Sequence, residues 1–333
     1  MPQEPAAPAG AGFEVTRFIP VPNSVSEPAQ QFLALGFSMG GDIAPQPSDP
    51  RDVEGWRAMI KATDEALIAV TNMLPAVPAS TVQRASVGDV PVFVLTPDGV
   101  PDDPNQPTYF DIHGGALIMG GGEACLALAT KIAAMVRMRT WSVDYRMAPD
   151  HPYPAALDDC ISAYRALLDV QSPERIVVGG GSAGGNLAAA LMLRARDEGL
   201  PLPAAVVLLT PEADLTESGD SFATNLGIDP VLQSSLADSI ALYAGDHDLT
   251  DPYLSPLFGD YSPPFPPTLI QSGTRDLFLS NAVRLHRTMR AAGVEAELHV
   301  FEAMPHGGFW GAPEDADLAQ EVRRFIAAHV GVG

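Results

Sequence analysis

Apolar positions recur with two different periods along this chain, and the change of period divides it. Between residues 25 and 75 they are spaced as on one face of a helix, as in Gln31-Phe32-Leu33-Ala34-Leu35 and Trp56-Arg57-Ala58-Met59-Ile60-Lys61-Ala62. Short β-branched and apolar runs begin after residue 80, at 81–87, 90–95, 108–112, 140–144, 175–178, 204–209, 268–271 and 296–301. Helix-like segments separate most of them, near 124–137, 155–169, 184–198 and 280–292, and a last one covers 315–329. Strands alternating with helices of this length predict an α/β fold, a mostly parallel sheet with helices on both faces. The run Ile176-Val177-Val178 is purely apolar, as a strand buried on both sides requires. Residues 214–260 break the alternation. They are long, polar and mixed, with a helix-like piece from Val231 to Ala244, and they read as a lid or cap inserted after a strand. Residues 1–12 are rich in Ala, Pro and Gly and are expected to form an arm.

Chemistry enters at the end of the apolar run at 176–178. Gly180-x-Ser182-x-Gly184 follows it and opens an Ala/Leu-rich helical run, the strand–turn–helix context of a nucleophile elbow. Small neighbours are needed because the adjacent strand and helix pass close by. Gly36-Phe37-Ser38-Met39-Gly40 matches the same pattern, but it precedes every convincing strand and Pro45 stops any following helix, so a turn is expected there. A serine nucleophile needs a base and a carboxylate that orients it. Of the seven histidines, His306 lies in a loop after the strand-like run at 296–301. Asp276 directly follows the run at 268–271. The order Ser182, Asp276, His306 is the one an α/β-hydrolase sheet uses. The glycine loop at His113-Gly114-Gly115-Ala116 is placed to offer the amides of Gly114 and Gly115 to an oxyanion, with the Ala183 amide completing the hole. Gly120-Gly121-Gly122 is not followed by Lys-Ser/Thr, which argues against a phosphate cradle.

Composition narrows the partners. With 333 residues, 46% hydrophobic, the chain can bury a sizeable core. A net charge of −22 argues against nucleic acid or an anionic membrane surface. Cys125 and Cys160 are too few for a disulfide framework. No run is long and apolar enough for a bilayer span, and the N-terminal segment lacks the basic and apolar regions of a secretory signal, so membrane insertion is not expected and a cytoplasmic protein is. No His/Asp/Glu cluster stands at metal-ligand spacing.

Over most of residues 80–328 the chain resembles the hormone-sensitive-lipase-like group of α/β-hydrolases, the bacterial family IV esterases. The resemblance rests on the loop at 113–115, Asp144-Tyr145-Arg146-Met147-Ala148-Pro149 and the residues up to Asp159, the serine motif, Ser272-Gly273-Thr274-Arg275-Asp276, Ala292-Gly293-Val294 and Met304-Pro305-His306-Gly307. It implies an eight-stranded α/β-hydrolase domain over 76–333, a cap built from N-terminal helices in 1–75 and the insertion at about 212–260, and a serine carboxylesterase acting on short- to medium-chain esters without metal or cofactor. Phe32, Phe37, Met39, Ala116, Leu226 and Leu254 are candidate lining residues of its pocket. A homodimer through the last strand and helix is left open. Four departures stand out: Ala116 replaces a customary third glycine, Gly181 an acidic residue, the histidine loop has an extra glycine at Gly308, and Glu212 stands where an aromatic residue is common. Glu212 is expected to place a carboxylate near the acyl pocket. A lactone, carbamate or amide hydrolase would use the same triad, and a ligand-binding protein could share the fold.

Overall fold

The computed structural model describes residues 12, 15–39, 46–47, 49–73, 77, 80–101, 103 and 105–330; nearly all of the N-terminal arm lies outside the described residues. The elements run α1 (Glu27–Met39), α2 (Val53–Met73), β1 (Ser80–Val87), β2 (Val90–Pro97), β3 (Thr108–Ile112), α3 (Glu123–Val136), β4 (Arg139–Val143), α4 (Ala155–Leu168), β5 (Ile176–Gly181), α5 (Ala183–Asp197), β6 (Ala205–Leu209), α6 (Ser221–Thr224), α7 (Ala237–Ala244), β7 (Thr268–Gly273), α8 (Leu279–Ala291), β8 (Ala296–Phe301) and α9 (Pro313–His329). The strands form one eight-stranded sheet in the order β1-β2-β4-β3-β5-β6-β7-β8. The β1–β2 and β2–β4 pairs are antiparallel and the others parallel.

Alternation along the central strands divides the core into two layers. Phe110, Ile112, Ile176, Val178, Val206 and Leu208 face the cluster that takes in the apolar sides of α4, α5 and α8. Tyr109, Val177, Ala205 and Val207 face the opposite cluster, built with Leu318, Val322 and Phe325 of α9 and with Leu33 of α1. A period-2 strand buried on both faces therefore needs no polar residue, which is why these runs read as continuously apolar.

Two local readings are corrected. The second Gly-x-Ser-x-Gly sequence falls in the last turn of α1 as far as Met39, so Ser38 follows no strand; its side chain lies outside the described residues. The helix expected from Val231 begins only at Ala237. Side chains take the amides that an earlier start would need: Asp229 accepts from Val231 and Leu232, and Glu217 accepts from Leu236 and from the Ser235 hydroxyl.

Candidate active site

Ser182 sits between β5 and α5 with φ 57° and ψ −122°, a backbone region costly for a residue with a β-carbon. Its neighbours hold it there. The Ser182 amide donates to Leu209 O (2.9 Å), and the Ser182 carbonyl accepts from Asn186 and Glu212 (both 3.1 Å). The two motif glycines permit the close approach: a β-carbon on Gly184 would lie 1.9 Å from Ile112 O, and one on Gly180 would lie 2.3 Å from Gly184 O. The turn thus lifts the hydroxyl off the carboxyl end of the sheet.

Three side chains from three strand ends meet at this point. The Ser182 hydroxyl donates to His306 Nε2 at 2.9 Å, which leaves His306 Nδ1–H to donate to Asp276 Oδ1 at 3.0 Å. Asp276 is fully buried; its Oδ2 accepts from the Ser272 hydroxyl (2.6 Å) and its Oδ1 also accepts from the Phe278 amide (2.9 Å). Phe278 meets the imidazole edge-on, with ring centres 4.9 Å apart. Burial works against a charged imidazolium at His306, but the hydrogen bond and charge of Asp276, with Asp229 and Glu212 further off, outweigh it and hold the pKa above its ordinary value.

The glycine loop lies against the serine. A β-carbon on Gly114 would stand 3.2 Å from Ser182 Cβ and 2.8 Å from Gly181 O. Ala183 opens α5, so its amide has no acceptor within the helix. His113 is buried under the loop. Its ring stacks on Tyr145 (4.1 Å), its Nδ1 lies 2.8 Å from Gly114 O, and the Tyr145 hydroxyl donates to His113 O. From α2, Asp64 accepts the Gly120 amide at 2.8 Å, which fixes the turn beneath the loop. Ala116 takes φ 50°, a left-handed backbone that would suit a glycine.

Glu212 is 1% exposed; its amide bonds the serine carbonyl and its own carbonyl accepts from Asn186 Nδ2 (2.8 Å). Among the described residues its Oε2 has no hydrogen-bond partner, and burial pushes its pKa up to about 8. Of the expected lining residues, Phe32 packs on the rings of Phe309 and Trp310. Leu254 is fully buried in the main core and its carbonyl accepts from Asn186, a packing position in place of the expected pocket wall. Leu226 is 49% exposed. The side chains of Phe37 and Met39 lie outside the described residues.

Linear spacing conceals one cluster of potential metal ligands. Among the described residues, His113, Cys125 and Asp144 bring their donor atoms within 4.8 Å of one another. Each already has a protein partner: Gly114 O for His113, Ser142 and Val143 for Cys125, and the Gly122 amide for Asp144. Sequence reasoning also missed Asn225, whose Nδ2 donates to Asp276 O (2.8 Å), and Asp229, whose Oδ2 accepts from Leu277 (2.9 Å) and His306 (3.2 Å). An Asp before Pro230 signals a turn; nothing linear ties it to residues 277 and 306.

A doubly covered, mostly parallel sheet with a strained serine after β5, an aspartate after β7 and a histidine after β8 defines the α/β-hydrolase class. The family described as having the alpha/beta hydrolase fold matches residues 109–310. An esterase of Acinetobacter venetianus is 37% identical over 204 residues, 59% of this chain and 65% of that protein. The crystal structure of another esterase superposes with a TM-score of 0.86 at 34% identity, covering 96% of this chain and 99% of the other. An esterase from the bacterial hormone-sensitive lipase family gives 0.77 at 30% identity, covering 92% and 99%. The chain belongs to the alpha/beta hydrolase family, in its hormone-sensitive-lipase group. No helix among the described residues is long and apolar enough to cross a membrane.

Proposed function

We propose that this enzyme hydrolyses carboxylic esters of small molecules with short- to medium-chain acyl groups, through an acyl-enzyme on Ser182. The hydrogen-bonded chain from Ser182 through His306 to Asp276 carries this reading. His306 Nε2 takes the hydroxyl proton as Ser182 Oγ bonds the ester carbonyl carbon. Asp276 stabilises the imidazolium, and the amides of Gly114, Gly115 and Ala183 receive the oxyanion. His306 then gives its proton to the alcohol oxygen as the ester C–O bond breaks. In the second half, water loses a proton to His306, attacks the acyl carbon and releases the acid with Ser182 restored. In this reading α1, α2 and the insertion at about 212–260 serve as the cap over this centre. A panel of esters of increasing acyl length, run beside fluorophosphonate labelling, tests the proposal. Hydrolysis and labelling should occur in the natural chain and in Ser38→Ala, and both should vanish in Ser182→Ala. Labelling that survives Ser182→Ala would overturn it.

A further inference from the structure

We infer that Asp229 is a positioning residue for the catalytic pair, a carboxylate from the segment between β6 and β7 that ties the Asp276 loop to the His306 loop. The inference rests on the esterase reading of the site. Asp229 is fully buried and both its oxygens are occupied by backbone amides. Oδ1 accepts from Val231 (2.9 Å) and Leu232 (3.3 Å), which anchors the carboxylate in its own segment. Oδ2 accepts from Leu277, the residue after Asp276, and from His306 itself. One oxygen thus receives an amide from each of the two loops whose side chains must stay in register. Those loops follow different strands, and each would otherwise choose its own height above the sheet.

The rest of the segment reinforces the tie. Asn225 Nδ2 donates to the carbonyls of Asp276 (2.8 Å) and Thr274 (3.3 Å). The Ser221 hydroxyl donates to Leu277 O (2.7 Å) and accepts from the Ser280 amide (2.9 Å). The inserted segment therefore grips the acid loop at several points and reaches the base loop through Asp229. Catalytic geometry becomes dependent on how this segment is seated, and a displacement of about 1 Å is enough to cost on the order of 100-fold in rate.

Position and charge can be separated. The titratable groups that face the imidazole are Asp276, Asp229 and Glu212, each of which favours its protonated form when ionised; Glu212, lifted to about 8, is neutral over the acid limb. Asp229→Asn keeps the shape, removes the charge and turns an amide group toward two N–H donors. Asp229→Glu keeps the charge and moves the oxygens by one methylene. With a p-nitrophenyl ester as substrate, both variants should lose about 100-fold in kcat with KM within about twofold, since ester binding is untouched. In Asp229→Asn alone, the acid limb of kcat/KM should also shift to lower pH, because an anion that favours the imidazolium is gone. A natural chain that neither hydrolyses the ester nor labels with fluorophosphonate defeats the esterase reading itself. An active natural chain beside folded Asp229 variants with unchanged kcat, or with a loss confined to KM, overturns the positioning role. Full recovery in Asp229→Glu makes the role one of charge alone and overturns it too. Failure of both variants to fold assigns Asp229 to core stability and does the same.

Discussion

At Ser182 the residue and its backbone are at odds: a serine occupies φ 57°, where glycine would rest without strain. Such positions cost on the order of 1–3 kcal/mol, held in place by the surrounding bonds. Ser182→Gly should therefore abolish hydrolysis while raising the melting temperature by about 2–4 °C. Calorimetry of the two folded proteins checks this; a lower melting temperature would show that the turn is relaxed. The motif announced this residue, since glycines on either side of a serine after an apolar run have few other uses. Glu212 was legible only as an oddity. It stands out only against the pattern that the resemblance implies, and its burial depends on the Ser182 carbonyl and Asn186, which no linear pattern places beside it.

Elements were legible where period and packing agree. The helices at 123–136, 155–168, 183–197 and 279–291 fall within a residue or so of the positions that the apolar spacing predicts. The reading failed between Val231 and Leu236, where apolar spacing favours a helix but the Asp229 and Glu217 side chains capture the amides first. Side-chain capture of this kind is a tertiary event and leaves a weak trace in composition. The same limit applies to α2, which looks like an ordinary amphipathic helix. Its Asp64 reaches the Gly120 amide and so supports the glycine loop from below. Asp64→Ala should cost about 10-fold in kcat by loosening the amides aimed at the oxyanion, while Asp64→Asn, which keeps an acceptor, stays near the natural rate. Steady-state kinetics on one ester separates the two; equal losses would point to the charge of Asp64.

On the scale of the whole molecule, chain order and topology were the most legible features. The triad residues lie at the ends of β5, β7 and β8, each following a recognisable strand, so the order of motifs along the sequence maps onto the sheet. Three-dimensional neighbours without sequence neighbours were not legible, as with Asp229 and the His113, Cys125 and Asp144 cluster. Two carboxyl groups in this interior share one property. Burial lifts Asp111 from 3.8 to about 7, only partly offset by the Ser142 hydroxyl bond, and lifts Glu212 from 4.5 to about 8. Near pH 6 both carry a proton in the folded chain and neither does when unfolded. Their contribution is fully present below pH 3.8 and 4.5 and is lost as pH rises through about 7 and 8. His113, whose pKa burial lowers, opposes this in part, and His306 adds to it. Folding is then a reaction that draws hydrogen ions out of the buffer. Unfolding enthalpies measured at pH 6 in buffers of different ionisation heat should differ in proportion to those heats. Glu212→Gln should reduce that dependence by about one proton and gain stability over the natural chain as pH rises toward 8. Equal enthalpies in every buffer would mean that these carboxyl groups ionise in the folded state as they do in water.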